Sequence, residues 1–293
     1  MFPLPFQGHI NPMLQLADVL HGRGLAVTML HTNFNKLDPA LHPAFDFVPV
    51  LDGIPAEVAA SGDVIAIIEA MNASMEVNES AALRDVIESV LAEQGQPPAA
   101  CIIYDANLLA VPTAAAALGL PTLVLRTASA ACLGCFLAYP MLHEKGYLPP
   151  QADAMKKSAG LLINTFDALE MVELERIREQ FDIPIVLAVG PLHKLSYKTT
   201  GSSLLDQDYS CIQWLDKQPS RYVEKRWGVG FELEGKLERG KIEMAIRKLM
   251  KERDGYEMRK RAMRLKEKVA DCLKPGGSSR IAIDKLVQYI HSL

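Results

Sequence analysis

The sequence predicts an α/β fold built on a parallel sheet with helices on both faces. Three observations carry this expectation. Short, β-branched-rich apolar runs recur through the first two-thirds of the chain and read as buried strands. Segments with helical periodicity separate them. The strict alternation of the two is the pattern of βαβ units.

Taken in order, the opening "MFPLPF" offers only the tail of a first strand, Phe2 to Phe6. Pro3 and Pro5 each remove a ladder donor, and a central strand would need an apolar run before them. A helix is expected over 11–21, where Met13, Leu16, Ala17 and Leu20 give an i, i+3, i+4, i+7 face. Strands follow at "LAVTMLHT" (25–32) and "FDFVPV" (45–50), then a long helical pattern over 64–94. "ACIIYDA" (100–106), "PTLVLRT" (121–127), "GLLINT" (160–165) and "PIVLAVG" (184–190) are the remaining strands. Helical patterns over 107–118, 129–145 and 166–180 lie between them. In such folds ligands bind at the carboxyl ends of the strands.

The stretch 191–210 is polar, holds Gly and Pro and has little periodicity, so it reads as a linker. Beyond it come a short helix (211–217), one strand-like piece "WGVGFEL" (227–233) and three helical segments. The last, "SSRIAIDKLVQYIHSL", opens on serines suited to capping. One strand and mostly charged helices cannot build a second sheet. No internal repeat is present.

Composition bounds the class. The 293 residues are 49% hydrophobic and 23% charged, which is ordinary for a globular chain. No apolar run reaches the roughly 18 residues needed to span a bilayer. The start lacks a basic n-region and a small-residue cleavage site, so no signal peptide is expected. Five cysteines, an odd count, fit a reducing compartment better than a disulfide framework, so a cytoplasmic location is expected; a monomer is expected separately. Cys132 and Cys135 form a C-x-x-C pair on an apolar helix, where packed thiols are expected rather than redox chemistry. Charge is lopsided: residues 221–293 carry a net +8, and residues 1–220 a net −12. The basic residues of the tail alternate with acids and apolar positions, as on a solvated helix face, so no nucleic-acid partner is expected.

Two residues fall at strand ends where chemistry is expected. In "GHINPM", Gly8 allows a tight turn or a close ligand approach. Asn11 can cap a helix with Pro12 at its first position, which leaves His9 in the loop before the helix. The helix dipole there opposes a positive charge and favours a neutral imidazole able to accept a proton. A histidine that merely caps a turn fits the same position. Asp105 closes "CIIYD" and weighs toward the first reading. A carboxylate bonded to one ring nitrogen fixes the tautomer and stabilises the imidazolium. Its structural alternative is a cap for a helix beginning near Asn107. No G-x-S-x-G elbow, G-x-G-x-x-G fingerprint or P-loop occurs, and the seven histidines show no metal-ligand spacing.

The blocks "FPLPFQGHINPMLQLADVLHGRGLAVTMLHT", "CIIYDANLLAVPTAAAALGLPTLVLRTASA", "AYPMLHEKGYLPP", "GLLINTFDALE", "AVGPLHKLS", "CIQWLDKQPS" and "WGVGFELEGKLERGKIEMAIRKLM" resemble, in order, plant UDP-dependent glycosyltransferases. That resemblance implies the GT-B fold, with an N-terminal Rossmann-like acceptor domain and a C-terminal nucleotide-sugar domain. The expected division is an acceptor domain over 1–190, a linker over 191–210, a remnant of the donor domain over 211–275 and a C-terminal helix over 276–293 that packs back on the acceptor domain. The implied chemistry is inverting transfer of a sugar, most commonly glucose, from a UDP-sugar to a hydroxyl of a small lipophilic acceptor. By motif match the base falls on His9, its supporting carboxylate on Asp105, and a residue near the transferred sugar on Thr127, beside Gly8. No metal or other cofactor is implied; the UDP-sugar is a co-substrate.

The departures are specific. The family's donor-binding box opens with Trp-Ala-Pro-Gln and includes His-Cys-Gly-Trp-Asn-Ser; neither string occurs. "DKQPS" runs straight into "RYVEKRWGVGFEL", so a large internal deletion is expected near Ser220–Arg221, and a smaller one near Gln151. A chain without the box lacks the contacts that seat a UDP-sugar, and an inactive homologue that at most binds acceptor or a partner is the alternative expectation.

Overall fold

The computed structural model describes residues 1–77, 81–92, 98–137, 158–180, 183–197 and 252–293, with scattered positions between 240 and 248. The expected joins near Gln151 and Ser220, the helix over 211–217, the strand over 227–233 and most of the linker lie outside the described residues. The chain divides into two compact units: Met1–Leu205 with Pro275–Leu293, and Asp206–Lys274.

The first unit holds the sheet. Its strands are β1 (Thr28–Thr32), β2 (Asp46–Val50), β3 (Ile102–Asp105), β4 (Thr122–Arg126), β5 (Gly160–Ile163) and β6 (Val186–Ala188). β1 pairs with β2, and β3, β4, β5 and β6 pair in that order, all parallel. The opening residues join the two ladders into one. The Leu30 amide donates to the Met1 carbonyl, and Phe2 bridges Tyr104 in parallel, its amide donating to Ile103 at 2.8 Å. The order is therefore β2–β1–(Met1–Phe2)–β3–β4–β5–β6. The chain winds outward in both directions from the opening stub, so the stub and β3 flank the switch point of a doubly wound sheet.

Side chains explain the layering. β3, β4 and β5 are buried along their whole length, as a central parallel strand covered on both faces must be. β2 is the outer strand, half exposed, and there Pro49 is tolerated because one backbone edge needs no partner. The core joins Phe2, Leu4, Tyr104, Val124, Leu161 and Ile163, each at most 1% exposed.

The helices of this unit are α1 (Gln7–His21), α2 (Ala56–Ser61), α3 (Val64–Val77), α4 (Ala81–Leu91), α5 (Val111–Ala117), α6 (Ala130–Leu137), α7 (Asp167–Gln180) and α8 (Leu192–Leu195). Four details correct the sequence expectations. α1 begins at Gln7, not after Asn11, because the Phe6 carbonyl already accepts from the His9 and Ile10 amides, both at 2.8 Å. Asn11 is thus no cap, and Pro12 lies inside the helix. The expected single helix over 64–94 is two, α3 and α4. The helix expected from Asn107 starts instead at Val111.

The fourth correction concerns the last helix. In the second unit, α9 (Arg253–Leu273) is a charged helix in which only Gly255 and Cys272 are buried. The chain then returns to the first unit as α10 (Ser278–Ser292). Its serines do not cap it; Ser279 is fully buried and donates to the Gly190 carbonyl at 2.6 Å. Ala282, Ile283, Leu286 and Ile290 form the buried stripe, Tyr289 donates to the Ala159 carbonyl at 2.9 Å, and Asp284 pairs with Arg23. Among the described residues no helix is long and apolar enough to cross a membrane.

Candidate active site

The site lies where the switch point of the sheet predicts a ligand, at the carboxyl ends of the stub and of β3. The chain leaves the stub through Pro3–Phe6 and enters α1 with an extended Phe6. That entry is held from β1's side: the Asn35 side chain donates to the Pro5 carbonyl at 2.8 Å, and the Phe6 and Phe34 rings meet edge-on at 5.9 Å. Asn35 adopts a positive φ of 50°, which Asn tolerates better than most residues. His9 is consequently fixed in the first turn of α1 rather than in a free loop.

Asp105 ends β3 and is 1% exposed, whereas the His9 side chain is 28% exposed. The two meet at 2.7 Å between His9 Nδ1 and Asp105 Oδ2, 96 residues apart in sequence. An ionised carboxylate only accepts, so Nδ1 carries the proton and donates, and the Nε2 lone pair is left as the ring's acceptor. The other carboxylate oxygen, Oδ1, accepts from the Asn107 amide at 3.0 Å and from Asn107 Nδ2 at 2.9 Å. The alternative role foreseen for Asp105, a cap near Asn107, is therefore met as a turn that coexists with the histidine contact. Burial, and then the neighbouring Asp105 charge, push the Tyr104 hydroxyl well above the ordinary phenol range.

Thr127 follows β4, and its Oγ1 lies 3.2 Å from His9 Nδ1. Two of the other three residues singled out in the sequence, Asp105 and Thr127, thus converge on the His9 imidazole. Gly8, the fourth, does not turn the chain; it is the second residue of α1, and a Cβ built on it would meet nothing within 4 Å. The space above it is open.

Three further residues shape the site and were not singled out from sequence. Asn72, on α3 and buried, donates to the Asn107 carbonyl at 2.9 Å and accepts from the Leu109 amide at 2.9 Å. Glu170, 4% exposed, accepts from the amides of Ala130 and Ala131 at 2.7 and 3.1 Å. It neutralises the first amides of α6, just after the loop that carries Thr127. Asn107 completes the set. A polar residue inside the apolar pattern of α3 was the available signal for Asn72; nothing local marks the partner it finds. Among the described residues no group of three His, Cys, Asp or Glu side chains is arranged to hold a metal ion.

No protein-family model matches the chain. It is 34% identical to the DIMBOA UDP-glucosyltransferase BX9 of Zea mays over 78% of its own length and 60% of that protein's. Against the maize BX8 enzyme the figures are 34%, 76% and 58%. The chain thus spans about 60% of the length of the maize relatives. Against UDP-glycosyltransferase 76B1 of Arabidopsis thaliana the alignment takes in 100% of this chain and 97% of the relative, at 26% identity over 444 positions. This chain has only 293 residues, so about a third of those positions fall in gaps of its sequence. Such gaps are internal, as the expected deletions require.

Solved structures agree on the fold. Os79 of O. sativa in complex with UDP superposes with a TM-score of 0.73 at 17% identity, covering 99% of each chain. A UDP-glucosyltransferase of Polygonum tinctorium, described as glucosylating indoxyl, gives 0.72 at 16% identity, over 100% of this chain and 98% of the other. These likenesses establish the GT-B fold. Sequence kinship and fold together make this chain a shortened homologue of plant UDP-dependent glycosyltransferases, one in which the strings of the donor-binding box do not occur.

Proposed function

We propose that the chain transfers a sugar, glucose in the first instance, from a UDP-sugar to a hydroxyl of a small lipophilic acceptor, with His9 as general base. The observation that supports this most directly is the 2.7 Å contact between His9 and a buried carboxylate at the switch point of the sheet. In this reading the acceptor O–H gives its proton to His9 Nε2. The freed oxygen forms a bond to the anomeric carbon, and the carbon–oxygen bond to UDP breaks with its electron pair leaving on the diphosphate. Attack from the face opposite UDP inverts the anomeric centre. Asp105 holds the ring in the Nδ1–H tautomer and balances the imidazolium as it forms. Thr127 and Gly8 border the space where the sugar and the hydroxyl meet. The co-substrate is the UDP-sugar and no metal takes part. The reaction belongs to a cytoplasmic monomer.

A second reading has its own support in the missing box and the gaps against the full-length relative. In it the chain keeps the acceptor-side apparatus, binds a lipophilic alcohol or a partner, and transfers nothing. Titration calorimetry with UDP-glucose separates the two. Saturable heat, together with a glucosylated alcohol product that disappears in His9→Ala, supports transfer. No heat at millimolar UDP-glucose leaves the second reading. Persistence of transfer at the unsubstituted rate in His9→Ala removes His9 as the base.

A further inference from the structure

We infer that Asn107 and Asn72 are positioning residues that hold the Asp105 carboxylate in the one orientation that orders His9. The inference rests on the reading of His9 as a base, and it extends that reading to two amides outside the His–Asp pair.

Asp105 is 1% exposed, so its oxygens depend on protein donors rather than water. Oδ2 is spoken for by His9. Oδ1 has two donors, both supplied by Asn107, one from its backbone and one from its side chain. This two-point hold on one oxygen fixes the carboxylate plane, and with it the direction of the oxygen offered to the imidazole. Asn107 in turn sits in the loop between β3 and α5, which no strand pairing constrains. Asn72 supplies that constraint. Its amide reaches the loop from α3 and bonds it twice, as donor to the Asn107 carbonyl and as acceptor from the Leu109 amide. Its Nδ2 also donates to Ile68, one turn back in its own helix, at 3.1 Å. Only a side chain with a donor and an acceptor on one planar group makes both loop contacts, so Asp and Leu are not equivalents at this position. The chain of contacts runs Asn72, Asn107, Asp105, His9, and the described bonds of the Asn72 amide tie it to the loop and to its own helix.

The consequence is a readout that does not depend on turnover. His9 in the intact chain is held as the single Nδ1–H tautomer, and weakening either amide admits the other tautomer. The test uses the full-length chain labelled with 15N, and compares it with Asn107→Leu and Asn72→Asp by the ring-nitrogen resonances of His9 at neutral pH. His31 is the internal control, because its Nδ1 bonds the Thr32 carbonyl and has no link to the relay. Expected is a shift of the His9 Nε2 resonance from the unprotonated position toward the tautomer average in both variants, with the His31 signals in place. His9 resonances unchanged in both variants overturn the inference. So does loss of the cooperative fold in both, which would make the pair structural; if one variant alone unfolds, the other decides. A tautomer mixture already present in the unsubstituted chain overturns the inference and the base assignment together. An inactive chain that shows the expected shift leaves the relay standing and removes only the transfer reading.

Discussion

At the scale of single residues, the pairing of His9 with Asp105 is an electrostatic arrangement more than a packing one. The carboxylate is buried, and three donors compensate its desolvation: His9 Nδ1, the Asn107 amide and Asn107 Nδ2. Asp105→Asn keeps the shape and removes the charge. It can also present an amide N–H to Nδ1, which would force the proton to Nε2 and leave the ring unable to accept from an alcohol. Where transfer is measurable, Asp105→Asn is expected to lower kcat by about 10²- to 10⁴-fold, the usual share of a general base. Thermal unfolding of the same variant should move little, because two of the three contacts survive in altered form. A large kcat loss with unchanged stability, read by initial rates and calorimetry, is the signature to look for; equal kcat would remove Asp105 from the mechanism.

At the scale of elements, the loops that carry the site are fixed by contacts far away in sequence. α6 starts at Ala130, three residues after Thr127, and its first amides end on the Glu170 carboxylate of α7. Glu170 itself interrupts α7 with φ −135° and ψ 36°, so the helix yields its regular geometry there to bring the carboxylate round. Glu170→Ala leaves two buried or half-buried N–H groups without this acceptor and removes a charge from a helix N-terminus. Hydrogen bonds to charged groups contribute about 1.5–3 kcal/mol each, so a loss of roughly 2–4 kcal/mol is expected in urea unfolding. A variant as stable as the parent would show that the contacts are made at no net gain.

At the scale of the whole molecule, the sheet closes around the opening residues, and this gives stability a pH dependence. In a polypeptide that starts at Met1, the terminal ammonium is buried between β1 and β3 and donates to the Thr28 carbonyl. Burial first, offset by the nearby Cys101 thiol, lowers it from 8.0 to about 6. Between about pH 6 and 8 the unfolded chain therefore holds a proton that the folded chain has released. Stability is expected to rise with pH across that window, by roughly 2–3 kcal/mol in all. Cys101 acts at the other end: burial, partly opposed by the ammonium, raises it from 9.0 to about 11. The unfolded thiol ionises first, so stability falls again from about pH 9 to 11. Urea midpoints at pH 6, 7 and 8 test the first slope, and acetylation of the amino terminus should abolish it. A flat profile from pH 6 to 8 in the free-amine chain would count against a buried terminus.

What the sequence determined by itself was local. Apolar runs such as "CIIYD" and "TLVLR" are too uniformly buried in character to be anything but central strands, and β3 and β4 form inside them. The spacing of "GHINPM" after a strand tail placed His9 in the loop just before a helix, although it put the first turn five residues late because Phe6, not Asn11, supplies the first carbonyl. Its place at a strand end singled out Asp105 and motif resemblance singled out Thr127, and the fold sets both beside His9. The tertiary structure alone decided how those residues are held. Parallel strands are joined through long crossovers, so the neighbour of a strand-end residue is set by sheet order and register, which no window of sequence contains. Asn72, Asn107 and Glu170 look like ordinary polar residues until the crossovers bring their loops together. Their roles come from desolvation, since a buried carboxylate or carbonyl must find its donor wherever the fold has carried one.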